Sequence, residues 1–152
     1  MSSIFFKNEK RKEQKRKNDQ IIEVTLEQVR QAINIYADGL EPGISLRAVV
    51  LDDYSIDFEQ LKTTLKGIPN RPFYMSKETF EIFETAELPM QIDHVQRAVD
   101  MYIQENGEEP IIPGNCYGEI SYYLIRHYLS SELEVELYLD RNDRMVTHRR
   151  PE

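Results

Sequence analysis

Residues 29–36 read VRQAINIY and residues 95–102 read VQRAVDMY. A chain of 152 residues that writes one amphipathic helix twice is constrained by that repetition above all, because two similar halves must each find cover for the same apolar stripe. Sliding the chain along itself extends the match. At an offset of 66, Val29, Ala32 and Tyr36 meet Val95, Ala98 and Tyr102. At an offset of 64, Ile56, Asp57, Phe58, Leu61 and Leu65 meet Ile120, Ser121, Tyr122, Ile125 and Leu129, and Tyr74, Met75 and Lys77 meet Tyr138, Leu139 and Arg141. What survives is physical role: Asp57 and Ser121 are both good helix caps, and Ser76–Thr79 and Asp140–Asp143 are both turn tetrapeptides.

The local signals define the repeated unit. Thr25, with Gln28 three residues on and Val24 closing over Val29, spells a capped helix start. Leu26, Val29, Ile33, Tyr36, Ala37 and Leu40 then form one apolar stripe that Gly39 and Pro42-Gly43 end. Ile56, Asp57, Gln60 and Leu61 repeat the same grammar for a second helix, stopped by Gly67. Residues 71–83 predict a hairpin. Residues 44–51 are rich in β-branched side chains and predict an additional strand, whereas the matching PIIPGNCYGE predicts a loop. Residues 86–91 are too short and too ordinary in composition for an interdomain linker.

A unit of about 60 residues buries little of its own surface, so the two units are expected to share one core. The expected fold class is α+β: a duplicated α-α-β-β unit forming a pseudo-twofold antiparallel sheet with helices mainly on one face. Residues 1–20 form a basic, flexible arm, and residues 21–152 a single domain of two repeats, about 24–85 and 90–149.

Charge separates arm from body. The net charge of −8 comprises seven basic against three acidic residues in 1–20, or +4, and twelve basic against twenty-four acidic in the remainder, or −12. Such a body repels polyanions, so contact with RNA or anionic lipid must be local. The arm residues Lys10, Arg11, Lys12, Lys15, Arg16 and Lys17 are the candidates for an anionic surface, with Ile4, Phe5 and Phe6 ahead of them suited to shallow insertion at a membrane interface. Arg141, Arg144, Arg149 and Arg150 form a second basic cluster. No apolar run approaches the roughly 20 residues that span a bilayer, and no apolar stretch follows the basic start as in a secretory signal. With the single Cys116, this predicts a cytoplasmic protein.

Catalytic motifs are not evident. His94, His127, His148 and Cys116 lack ligand spacing, and Cys116 has no cationic sequence neighbour to activate it. No metal, cofactor or catalytic residue is therefore assigned. Of nine tyrosines, Tyr122 fits the buried stripe with Ile125 and Leu129, while Tyr123 and Tyr128 fall toward another side, where tyrosine suits recognition. The diverged loop adds Asn115, Cys116 and Tyr117, and His127 lies on the nearby helix. These six residues, Asn115, Cys116, Tyr117, Tyr123, His127 and Tyr128, form the candidate ligand or partner site.

The phrases IDHVQRAVDMY, ISYYLIRHYL, VELYLDRNDRMVTHRRP and RPFYMSKETFEIF resemble a small family of uncharacterised proteins from Bacillus and relatives, classed as a domain of unknown function. The resemblance covers nearly everything after the arm. It implies a bacterial cytoplasmic origin and brings no functional residues. The leading expectation is thus a non-enzymatic protein-interaction module with a basic arm that contacts an anionic surface. The alternative is a small-molecule-binding or enzymatic domain using the loop around Cys116 and His127. A second alternative is an RNA- or ribosome-associated factor. The protein partner and the oligomeric state are left open.

Overall fold

Thr25 starts the first helix as its side chain dictates. Its hydroxyl accepts from the Gln28 N–H at 3.1 Å while Gln28 Oε1 accepts from the Thr25 N–H at 2.8 Å, so two otherwise orphaned donors are satisfied reciprocally. The structure, a computed structural model, describes residues 19–151. They divide into two compact units: residues 19–75 with Ile82–Glu84, and Ser76–Glu81 with residues 85–151.

In the first unit, β1 (Ile21–Ile22) precedes α1 (Leu26–Asp38), which buries Val29, Ala32 and Ile33. A 3-10 turn over Leu46–Val49, another over Phe58–Gln60 and a one-turn α2 (Lys62–Leu65) follow. Then come β2 (Ile68–Pro69), β3 (Tyr74–Met75) and β4 (Ile82–Phe83). β1 pairs with β2 in parallel, and β3 with β4 antiparallel. Val29, Ile33, Val49, Ile56, Leu61, Phe73 and Met75 make the core. Each fully buried side chain of this size contributes about 1.5–3 kcal/mol. Phe58 meets Phe73 edge to face at 6.1 Å, and the Arg71 guanidinium caps the Phe73 ring at 4.3 Å.

The second unit is organised by α3 (Glu87–Asn106), which ends at Gly107 in the left-handed region, φ 71°. A 3-10 turn over Arg126–Tyr128 and the antiparallel pair β5 (Tyr138–Leu139) and β6 (Val146–Thr147) complete it. Ile92, Val95, Val99, Ile120, Ile125, Leu137, Leu139 and Val146 are buried. So are three polar side chains, Ser76, Asp93 and Gln96. Asp93 accepts from the Ser76 hydroxyl, from the Lys77 N–H at 2.8 Å and from the Glu78 N–H at 3.1 Å, holding the turn between β3 and β4. One helical turn on, Gln96 Oε1 accepts from the Val146 N–H at 2.6 Å, and Gln96 Nε2 donates to the Arg144 carbonyl at 3.1 Å.

The mixed helix and strand content is the α+β class expected, but particulars differ. The Asp57 side chain does cap, accepting from the Glu59 N–H at 3.2 Å, yet only a 3-10 turn and α2 follow. Gln60 turns away from the cap backbone to donate to Asp57 Oδ2 at 3.0 Å and the Ala48 carbonyl at 3.2 Å, and Lys66 in the left-handed region ends the segment. Residues 44–51 are not a strand, because the Ser45 hydroxyl caps the 3-10 turn by accepting from the Arg47 N–H at 3.1 Å. Residues 87–91 are no connection but the start of α3, where Pro89 falls in the first turn and has no intrahelical donor to lose.

The described strands pair only in twos, and the two hairpins stand in separate sheets instead of a common one. Each hairpin's first strand has its other edge filled locally. The Met75 N–H donates to the Tyr54 carbonyl at 2.9 Å, and the Leu139 N–H to the Gly118 carbonyl at 2.9 Å.

Replacing Asp93 by alanine removes the buried acceptor shared by the Ser76 hydroxyl and the Lys77 and Glu78 N–H groups. A loss of about 3 kcal/mol is expected, read as a lower urea midpoint with an unchanged denaturant slope.

Candidate functional site

The Ser130–Glu136 stretch reads SSELEVE, acidic residues alternating with Leu133 and Val135. The Ser130 N–H donates to His94 Nε2 on α3 at 3.1 Å, and the Tyr122 hydroxyl donates to the Val135 carbonyl. The loop is therefore pinned at both ends. Between the pins, the backbone groups of residues 131–134 make no backbone hydrogen bond among the described residues. Such groups turn to water or to a partner.

Two cavities flank this segment and share Glu132, Leu133 and Glu134. One of about 540 Å³ is lined by Tyr122, Tyr123, Arg126 and Leu129. The other, of about 470 Å³, is lined by Glu87, Leu88, Gln91 and Val135. Tyr123 is 70% exposed on the rim. Its ring carries the Arg126 guanidinium 4.0 Å from the centroid, and Arg126 Nη1 donates back to the Tyr123 carbonyl at 2.6 Å. The stacked pair is held in place in the free molecule, which lowers the entropy lost when a partner covers it. Glu87, Glu132 and Glu134 give the second cavity an acidic rim around apolar Leu88, Leu133 and Val135.

The residues expected to form a site do not all gather here. Tyr123 does. Tyr128 is half-buried and its hydroxyl donates to the Glu105 carboxylate, which raises its pKa. Asn115 is occupied by its own loop: Oδ1 accepts from the Tyr117 N–H at 2.9 Å and the Glu119 N–H at 3.2 Å, and Nδ2 donates to Glu119 at 3.0 Å. Cys116 and His127 are exposed, and the Tyr117 ring lies 4.6 Å from the Arg150 guanidinium. Asn115, Cys116, Tyr117 and His127 line neither cavity. His94, on α3, is half-buried and holds the loop.

Lys10, Arg11, Lys12, Lys15, Arg16 and Lys17 lie outside the described residues. Of the C-terminal arginines, Arg141 pairs with Glu109 at 3.7 Å and Arg150 with the Tyr117 ring. Among the described residues no group of three or more His, Cys, Asp or Glu side chains could hold a metal ion. Arg126, Leu88 and Leu133 went unnoticed in the sequence, although the alternation in SSELEVE is the mark of a strand lacking a neighbour.

These features define a mixed α+β protein with an acid-rimmed groove beside an aromatic and arginine pair, and with no helix among the described residues long and apolar enough to cross a membrane. The chain belongs to the family described as Protein of unknown function (DUF3939), whose model matches residues 19–148. No curated protein and no solved structure matches it. That family carries no activity with it, so the geometry has to supply the functional reading.

Burial and the neighbouring carboxylates Glu119 and Glu136 push the Tyr122 pKa up to about 12. A folded pKa above the unfolded value near 10 means that the folded chain keeps a proton which the unfolded chain releases. Stability from this group is therefore whole below about pH 10 and lost as pH rises from about 10 toward 12. Ultraviolet titration should show a tyrosine ionising near pH 12 that Tyr122→Phe removes.

Proposed function

We propose that the protein is a non-enzymatic interaction module built from two copies of one structural plan, and that the 130–136 face of the second copy receives its protein partner. The repeat reading draws support from hydrogen bonds that recur at a constant offset of 64. The Ile56 N–H donates to Phe73 and the Ile120 N–H to Leu137, each at 2.9 Å; the Phe80 N–H donates to Ser76 and the Arg144 N–H to Asp140. Left-handed backbone recurs too: Tyr54 and Gly118 take φ of 70° and 72°, Phe80 and Arg144 of 61° and 57°. Gly118 suits its place, since a Cβ there would stand 2.8 Å from the Leu139 carbonyl. Such conformations are uncommon outside glycine, so two coincidences at one offset favour common descent over chance. The sequence match behind them includes buried Leu61 with Ile125 and Met75 with Leu139.

One observation carries the partner reading: a largely exposed, stacked Tyr123 and Arg126 pair on the lip of a groove whose central backbone makes no backbone hydrogen bond among the described residues. Tyrosine and arginine are the residue types that most often dominate binding energy at interfaces. An acidic rim suits a partner with basic side chains, which it attracts and orients. The arm cations, Lys10 to Lys17, contribute a separate, salt-sensitive attachment to an anionic surface, each worth about 1 kcal/mol near such a surface.

A photo-crosslinking amino acid placed at Tyr123 in living cells is expected to trap one discrete protein, with the same group at exposed Thr63 of the first unit as the control. Tyr123→Ala with Arg126→Ala should weaken that complex at least about tenfold while shifting stability by under about 0.5 kcal/mol. Equal labelling from both positions would refute the reading.

A further inference from the structure

We infer that the partner received at the 130–136 face binds by strand addition: a segment of a second protein, alternating basic and apolar residues, pairs along the backbone edge of Glu132 and Glu134. The inference rests on the proposed partner-binding face and names the chemistry which that face selects.

Residues 132–134 contain no turn or helix, and exposure alternates along the stretch they open. Glu132, Glu134 and Glu136 are exposed, whereas Leu133 and Val135 are half-buried. That period of two is the mark of a strand with one face on its own protein and the other in solvent. The chain on the C-terminal side is already tied into the unit: the Leu137 carbonyl accepts from the Ile120 N–H and the Leu139 N–H donates to the Gly118 carbonyl, each at 2.9 Å. Residues 131–134 stop short of that pairing and make no backbone hydrogen bond among the described residues. In a strand, N–H groups two residues apart point to one edge. The Ser130 N–H donates to His94 Nε2 on α3 at 3.1 Å, so the Glu132 and Glu134 N–H groups follow it toward the cavity of about 470 Å³ that Glu87, Leu88 and Gln91 of α3 line. A strand-like edge beside an open groove is the arrangement that strand addition uses, main-chain bonds giving affinity and alternate side chains giving selectivity.

Residues paired across two strands share a face, and this fixes the character of the occupant. Those opposite Glu132 and Glu134 meet carboxylates, with Glu87 on the same rim, and lysine or arginine is favoured there. Those opposite Leu133 fall on the face of the half-buried Leu133 and Leu88, where apolar side chains gain cover. The same rule disfavours a second copy of this chain, whose own Glu132 and Glu134 would stand against like charges. Acidic residues along an open edge keep it from pairing with itself and leave it to a basic segment.

The test titrates the full chain to millimolar concentration with a synthetic peptide alternating lysine and valine, and follows amide hydrogen exchange by NMR. At saturation the Glu132 and Glu134 amides should exchange at least about tenfold more slowly, with Ile68 and Asn70 of the first unit unchanged. The fully N-methylated peptide keeps the charges but has no N–H to donate, and should bind at least about tenfold more weakly. The Glu132→Gln, Glu134→Gln variant, altered only at exposed side chains, should hold the lysine peptide about fivefold more weakly. No binding, equal affinity for the N-methylated peptide, or undiminished affinity in the glutamine variant would overturn the inference. A specific Tyr123 crosslink in cells, with Glu132 and Glu134 left unprotected by the peptide, would reject strand addition and leave the proposed face standing. Equal crosslinking from Tyr123 and Thr63 would sink the face, and this inference with it.

Discussion

Three nearly consecutive side chains on one helix, Asp93, His94 and Gln96, accept from backbone donors in a turn, a loop and a strand of the second unit. Asp93 holds the turn over Ser76–Glu81, His94 holds the start of the 130–136 loop, and Gln96 holds β6 at Val146. Because strands of two residues offer few ladder bonds, side chains must do what a longer sheet would do through its backbone. The buried carboxylate is tolerable only because three donors converge on it, and the same desolvation makes each of those bonds stronger than in water.

The same accounting exposes the candidate site. In the first unit the stretch after the short helix is covered by a strand, and a glycine makes room for it. In the second unit the 130–136 stretch is anchored at Ser130 and Val135, and the residues in between, which alternate acidic and apolar, make no backbone hydrogen bond among the described residues. The two units thus differ in whether this stretch has a backbone partner among the described residues. That is why the reading centres on Tyr123, Arg126 and the 131–134 backbone and not on Cys116, whose neighbour Asn115 spends its hydrogen bonds closing its own turn.

Much of the fold was legible because its signals are local. Thr25 with Gln28, Asp57 with Glu59 and Ser121 with Leu124 are contacts between residues two or three apart, and the pattern of side-chain types suffices to name them. The apolar positions repeated between the halves are buried in both, as with Val29 and Val95, Ile56 and Ile120, Leu61 and Ile125. Lengths were less legible. The capped segment after Asp57 ends within a few residues because Gln60 finds the Ala48 carbonyl, a partner twelve positions away that no window of sequence includes. Tyr123 was named from its side of a helix, but Arg126, which stacks on it, was not, and the cavity of about 470 Å³ needed residues from 87–91 and 132–135 together.

Sequence by itself determined the caps, the turns and which apolar side chains seek cover, since each depends on chemistry within a few residues or on periodicity along one element. Tertiary structure decided which backbone edges were filled. β1 pairs with β2 across more than forty residues of chain, and α3 takes up Glu87 and Leu88 instead of leaving them extended. Hydrogen-bond partners at such separations depend on which groups folding brings within about 3 Å of one another, and on which it leaves facing water.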